Sequence, residues 1–258
     1  MRGFPVIVMS ALLAVAGLSA GCGKSAEVRL LIPALSGMER EGPSLWVEPG
    51  TPAAVRAGLR QEMAAARDRV GRFYGSVQSS PRVFACVTQA RARSLGLPNH
   101  NRAHTVGGRT IVLGPHGLVT PILTHEWAHA ELDARLSPGV LRRLPRWFDE
   151  GLASVIGDEP WHSEAHWQEI VRRALPVPHL NELYTFRQMA DAVRDYGDTR
   201  PDSAGNQHVV YSAAAHEVRG WLARAGRGGL HRLIAALNAG EAFAPAYLRI
   251  GGPAPEEP

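Results

Sequence analysis

The 258-residue chain has little lysine, little cysteine and no apolar run long enough to be a stable membrane span. Lys24 is the only lysine, so the basic residues are almost all arginines, and these are scattered rather than gathered along one stripe. With a net charge of only +4, this distribution argues against nucleic acid as a partner. Two cysteines, Cys22 and Cys86, are too few for a scaffold held by disulfides.

The remaining composition is that of an ordinary globular protein. At 45% hydrophobic and 20% charged residues, the chain is too apolar for a disordered protein and too polar for one with many membrane spans. Its length is sufficient to bury a core in one or two domains. Cys86 lies alone among β-forming residues, which predicts a small buried hydrophobe rather than a reactive thiol.

The N-terminus has the order of a secretory signal. Arg2 is followed by the apolar run Val6–Leu18 and then by small residues that end at Cys22. The sequence Leu18-Ser-Ala-Gly-Cys22 resembles a bacterial lipoprotein processing site. The resemblance implies that residues 1–22 are a lipoprotein-type signal peptide, that Cys22 is lipidated, and that the protein is membrane-anchored in the cell envelope, at the outer membrane or the periplasmic face. A secreted protein and an uncleaved anchor are the alternatives.

The rest of the chain divides into three parts. Residues 23–50 are rich in proline and glycine and predict a tether or loosely ordered segment, a spacer from the membrane that could also shield a cleft. Residues 51–250 contain no convincing linker and predict one domain, which opens on a helix capped at Thr51-Pro52. Residues 251–258 predict a disordered tail.

The predicted elements indicate an α+β fold. Short strands are predicted at Leu45–Val47, Arg82–Thr88 and Arg109–Leu113, with a loop over 94–108. We expect a small N-terminal sheet, with Arg109–Leu113 as an edge strand over the cleft that holds extended peptide by its backbone. The chain after these strands predicts a mainly helical C-terminal lobe, with helices at about 120–136, 146–157, 161–174, 181–194, 208–225, 228–239 and 243–249.

One helix carries the pattern His-Glu-x-x-His. His125 and His129 are four residues apart, so both imidazoles lie on one face and can bind one metal ion. Glu126 is rotated by about a quarter turn and can reach a water on the metal without being a ligand. The helix is otherwise apolar around these residues, and unpaired buried polar groups cost several kcal/mol. A bound metal would satisfy all three side chains.

A third ligand is available downstream. Glu150 lies near the start of a helix predicted to begin at about Pro145, and the intervening loop is long enough to bring it against the first helix. Two histidines and one glutamate are an established ligand set for catalytic zinc. The sequence therefore predicts one Zn²⁺ per chain, bound by His125, His129 and Glu150.

The two motifs together resemble a known family. His-Glu-x-x-His followed by Trp147-Phe-Asp-Glu-Gly-Leu-Ala153 is similar to the gluzincin metallopeptidases, in particular the bacterial peptidase-MA-like families with a thermolysin-like catalytic core. The resemblance extends from about Arg82 to Gly240. It implies that Glu126 is the general base and that Asp149 orients the second histidine. Ser154 stands where thermolysin-like enzymes have an aspartate that holds the first histidine.

A further helix resembles a family element in which a tyrosine precedes small residues. Tyr211 could donate a hydrogen bond to the oxyanion of the tetrahedral intermediate, or could be a core tyrosine. His208 and Tyr196 are competitors for the same role. The pairs His162/His166 and His100/His104 are expected to be surface or structural histidines, because neither has a third ligand nearby in sequence.

These observations predict a zinc metallopeptidase that acts on a peptide or protein substrate. Zinc would activate water and polarise the scissile carbonyl, with Glu126 moving the proton. One alternative is an exported lipoprotein that uses the scaffold as a binding or assembly module with little turnover, although binding alone does not need Glu126. Another is a zinc hydrolase acting on a non-peptide bond.

Overall fold

The computed structural model describes residues 22–98, 101–196, 207–226 and 228–252. The predicted signal peptide, except Cys22, and most of the predicted tail lie outside these residues. No helix in the described part of the chain has the length and apolar character needed to cross a bilayer.

The N-terminal half forms one mixed five-stranded sheet with the order β1-β2-β3-β5-β4. The two central pairs, β2–β3 and β3–β5, are parallel, whereas both outer pairs are antiparallel. The strands are β1 (Glu39–Arg40), β2 (Leu45–Val47), β3 (Arg82–Ala85), β4 (Ala103–Val106) and β5 (Thr110–Leu113).

Helices flank this sheet and form the C-terminal region, which confirms the predicted α+β class. The helices of the N-terminal half are α1 (Cys22–Leu31), α2 (Ala53–Tyr74), α3 (Gln89–Ser94) and α4 (Thr120–Arg135). The later ones are α5 (Arg146–Gly157), α6 (Glu164–Arg172), α7 (Phe186–Asp195), α8 (Gln207–Ala225), α9 (Gly229–Asn238) and α10 (Phe243–Gly251).

The two faces of the sheet contact different helices. Successive side chains of a strand point to opposite faces. In β3, Val83 and Ala85 belong to the main core together with Leu123 and Trp127 of α4. Phe84, between them, packs in a separate cluster that includes Leu30 of α1. The sheet therefore lies between α1 and α4.

The prediction of a loosely ordered tether over residues 23–50 is wrong. This segment contains α1 and the first two strands, and Leu45 and Val47 are buried in the main core. Val47 pairs with Ala85 in the parallel register of β2 and β3. The prolines and glycines that suggested a tether lie between short elements rather than in a free spacer.

The predicted edge strand is also assigned to the wrong segment. β5 (Thr110–Leu113) is buried along its whole length between β3 and β4, as expected of a central strand. The edge strand on this side of the sheet is β4, which falls in the segment predicted to be loop. Gly107 and Gly108 join the two strands with φ of 56° and 63°, values that suit glycine in a tight hairpin turn.

Candidate metal centre

α4 supplies two imidazoles to one point. His125 and His129 lie one turn apart, and their Nε2 atoms are 3.1 Å from each other. Pro121 lies in the first turn, where it disrupts no helical hydrogen bond. The helix is buried around these residues because it packs against the sheet, α2 and α5. Its histidines are therefore shielded from bulk water.

α5 brings Glu150 to the same point. Its Oε2 atom lies 3.2 Å from His125 Nε2 and 3.5 Å from His129 Nε2. One ligand atom from each of the three residues lies within 4.8 Å of the others, so the group could hold a metal ion. The predicted ligands thus converge, although they come from two helices.

Arg146 holds the acidic part of the site from the first turn of α5. Its Nη2 pairs with Glu150 Oε1, and its Nη1 lies 2.5 Å from Asp149 Oδ2. Asp149 Oδ1 in turn accepts a hydrogen bond from His129 Nδ1 at 2.8 Å, the contact that the family resemblance implied. One guanidinium thus orients Glu150 directly and His129 through Asp149, leaving Glu150 Oε2 turned toward the imidazoles.

The carboxylate beside the first histidine is Glu159. Its Oε1 lies 3.4 Å from His125 Nδ1, and its Oε2 pairs with His162 Nδ1. Ser154, the residue aligned with this role by the resemblance, has its Oγ 3.3 Å from His162 Nδ1 instead. His162 is therefore buried, which agrees with the structural rather than the surface alternative expected for this pair.

The pKa values of the cluster are set by burial and by its closely spaced charges. Burial disfavours a charged His129, but Asp149 and Glu150 outweigh burial and raise the pKa of His129 to about 9. The pKa of His125 is raised for the same reason, by Glu159 and Glu150 against burial. Burial opposes ionisation of Glu150, yet Arg146 and His129 hold its pKa well below the usual range. Metal binding needs neutral imidazoles, so it would compete with protons at both histidines.

Glu126 is fixed by the edge strand. Thr105 of β4 places its Oγ1 2.6 Å from Glu126 Oε2 and 2.9 Å from the Glu126 carbonyl oxygen. Glu126 is not among the three ligands and borders the open cleft beside them. Glu126 therefore lies beside the three residues that could hold a metal ion without being one of them.

The cleft consists of two adjoining cavities of about 240 and 370 Å³, both bordered by His125, Glu126 and Glu150. Apolar side chains such as Ile122 and Met189 line the smaller one. The larger cavity is more polar, with residues that include His104, Asp133 and Arg142.

Tyr211 borders both cavities. Its ring stacks on His162 at a centroid distance of 5.2 Å, and burial together with Glu150 raises its pKa well above the ordinary value. Its competitors are placed less centrally: His208 borders only the smaller cavity, and Tyr196 packs against the core and borders neither. Of the three candidates, only Tyr211 borders both cavities next to His125, Glu126 and Glu150.

Sequence analysis did not identify Thr105, Arg146 or Glu159. Arg146 could have been found from its i, i+4 spacing to Glu150. Glu159 follows the end of α5, where Asp158 turns the chain back at a φ of 52°, and no spacing rule marks it. His100 lies outside the described residues, and His104 is exposed on β4.

Comparison of the chain with protein-family models, curated proteins and solved structures gives no match.

Proposed function

We propose that the protein is a zinc-dependent peptidase that hydrolyses peptide bonds with Glu126 as general base. The observation that carries the proposal is the convergence of His125, His129 and Glu150 on one point with a fourth, non-ligating carboxylate beside it. Tetrahedral zinc with bonds of about 2.0–2.1 Å places its ligand atoms about 3.3 Å apart. The observed separations of 3.1, 3.2 and 3.5 Å agree with that spacing.

The proposed chemistry divides between the ion and the chain. When bound, zinc would supply a Lewis acid that polarises the scissile carbonyl and lowers the pKa of water. Glu126 takes a proton from the attacking water and returns it to the departing amine. Tyr211, which stays protonated because its pKa is raised, donates a hydrogen bond to the developing oxyanion.

The edge strand β4 is the proposed backbone-binding element. In the sheet β4 pairs only with β5, so one row of its backbone N–H and C=O groups faces away from the sheet. An extended peptide can pair with such an edge independently of its side chains. Because Thr105 of the same strand contacts Glu126, a peptide paired there lies beside the general base.

Substitution of Glu126 tests the proposal. Wild type, Glu126→Gln and Glu241→Gln, each loaded with one zinc per chain, are assayed on an unstructured protein. Glu241 pairs with Arg249 on the surface and is the matched control. We expect Glu126→Gln to lose at least about 100-fold in kcat, and Glu241→Gln to keep the wild-type rate. Equal activity of the wild type and Glu126→Gln would reject the peptidase assignment, and peptide binding without turnover in the wild type would favour a binding module.

We also propose that a lipid on Cys22 anchors the chain in the bacterial cell envelope. The Leu18–Cys22 sequence supports this proposal. Expressed with its own N-terminus, the wild type should incorporate labelled palmitate and partition into detergent, whereas Cys22→Ser should do neither. A Cys22→Ser protein that stays in the membrane would instead indicate an uncleaved anchor.

A further inference from the structure

We propose that Arg102 binds a carboxylate of the substrate in the smaller of the two cavities, so that the protein prefers peptides with an acidic group near the scissile bond. This inference rests on the proposed peptidase function and names the substrate class of the same site.

Arg102 lies in the cleft with the catalytic groups. It borders the smaller cavity together with His125, Glu126 and Glu150. Its Cζ atom lies 4.3 Å from the centroid of the Trp161 ring, a cation–π contact. The ring covers one face of the guanidinium, and the N–H donors lie in the plane of the group, where they can donate two hydrogen bonds to a carboxylate.

The guanidinium has no anionic partner among the residues that the structure describes. None of their carboxylate oxygens lies within 4.0 Å of its nitrogen atoms. Three acids share its cavity: Glu159 pairs with His125 and His162, Glu150 pairs with Arg146, and Glu126 accepts a hydrogen bond from Thr105. Arg102 therefore forms no ion pair with any described carboxylate of the cavity.

The backbone of Arg102 is held tightly. Its carbonyl oxygen accepts a hydrogen bond from Gly114 N–H at 2.8 Å. Gly117 approaches so closely that a Cβ there would lie 2.1 Å from the same oxygen. The next residue, Ala103, begins β4 and pairs with Leu113. The backbone that carries the guanidinium is thus fixed, which favours recognition over incidental contact.

The size of the smaller cavity limits how far the substrate carboxylate can lie from the candidate metal centre. At about 240 Å³ it is smaller than the usual 300–1,000 Å³ of a small-molecule site. It has room for only one or two residues of substrate beside the metal centre. Ile122, Met189 and Val193 line the same cavity, so the substrate portion next to the carboxylate should be apolar. The carboxylate is either a free C-terminus or an aspartate or glutamate side chain.

Binding measurements on a protein that does not turn over test this inference. Zinc-loaded Glu126→Gln is the parent, and calorimetry compares N-acetylated apolar peptides that differ only in charge. One pair has a C-terminal carboxylate or a C-terminal amide. The other pair is amidated and has an internal glutamate or glutamine. We expect the parent to bind the charged member of at least one pair about tenfold more tightly. The pair that responds identifies the source of the carboxylate.

Two further variants in the same background assign the preference to Arg102. Arg102→Met should reduce the ratio of affinities within the responding pair to near one, and Arg102→Glu should invert it. Arg187→Met is the matched control, because it removes one exposed arginine of α7 and changes the net charge equally. This control should keep the preference, and high salt should weaken it in the parent.

The outcomes separate this inference from the proposed function. Equal affinity for both members of both pairs in the parent overturns the inference, even if Arg102→Met does not fold. A preference that survives in Arg102→Met also overturns it. Because no binding measurement requires turnover, a charge preference in the parent together with a wild type that lacks peptidase activity would contradict the proposed function alone. Hydrolysis by the wild type without any charge preference would contradict the present inference alone.

Discussion

Each imidazole of the candidate metal centre has a carboxylate next to its Nδ1 atom, Asp149 for His129 and Glu159 for His125. The two carboxylates occupy different kinds of position in the fold. Asp149 precedes the ligand Glu150 on the same helix, so its place follows from helical geometry. Glu159 lies beyond the end of that helix and reaches His125 only because the chain turns back at Asp158. A carboxylate behind a ligating histidine fixes the ring and raises its basicity.

We expect Glu159→Gln to weaken zinc binding by about 10- to 100-fold, because it removes the charge behind His125. Ser154→Ala should change the zinc affinity much less, since Ser154 contacts His162 rather than His125. Competition with a chelator of known affinity measures both variants. Similar losses in the two, or a loss only in Ser154→Ala, would show that Glu159 does not support His125.

The Cys86 thiol should not react with alkylating reagents in the folded protein. Burial, with a smaller effect of Glu48, raises its pKa to about 12, so only about one thiol in ten thousand is ionised at pH 8. Iodoacetamide at pH 8 should label Cys86 only after unfolding, as read by mass spectrometry of the peptide that contains it. Val171→Cys, at an exposed position of α6, is the control that should be labelled in the native protein. Native labelling of Cys86 would contradict its burial.

Among single residues, the sequence predicts the candidate metal ligands better than the residues that hold those side chains in position. His125, His129 and Glu150 could be chosen from helical spacing and the chemistry of zinc ligands. Thr105 and Glu159 could not, because their distances to the site depend on a hairpin and a turn. The role proposed for Tyr211 likewise remains a prediction, although the structure places it beside the centre.

Among the elements, helices were predicted more accurately than strands. α4 and α5 are long, apolar on their buried faces and begin at prolines, so their sequences mark them clearly. β4 is only four residues long and contains an exposed histidine and two intermediate residues, so it lacks a strand's apolar alternation. Its pairing with β5 is imposed by the Gly107-Gly108 turn. The identity of the edge strand therefore depended on tertiary structure.

The close packing of α5 on α8 depends on Gly151. A Cβ at this position would lie 2.5 Å from the carbonyl oxygen of Ala214, which is backbone and cannot move aside alone. We expect Gly151→Ala to destabilise the fold by about 1–3 kcal/mol despite alanine's better helix propensity, and to weaken metal binding by displacing Glu150. Denaturant unfolding and zinc titration measure the two effects.

Gly58→Ala is the matched control for this substitution. Gly58 lies in α2 with no neighbouring atom within 4 Å of its Cβ position, so alanine there should stabilise by up to about 1 kcal/mol. A Gly151→Ala protein as stable as Gly58→Ala would show that α5 and α8 can separate without cost.

For the whole molecule, the metal should contribute to folding as well as to chemistry. A ligand that binds only the folded state at about 1,000 times its dissociation constant stabilises by about 4 kcal/mol. Removing zinc with a chelator should therefore lower Tm by roughly 10 °C. Glu150→Ala should show almost no difference between the zinc-loaded and chelated states. Elemental analysis that finds no stoichiometric zinc, together with a Tm indifferent to chelation, would contradict the proposed metal centre.

The mixed sheet separates the helices that pack on its two faces. α1, which begins at Cys22, packs on one side of it, and the helix that carries His125 packs on the other. A lipid on Cys22 would thus attach the protein to the bilayer on the face of the sheet opposite His125. The cleft beside His125 would then open toward the aqueous compartment, with the sheet between it and the lipid.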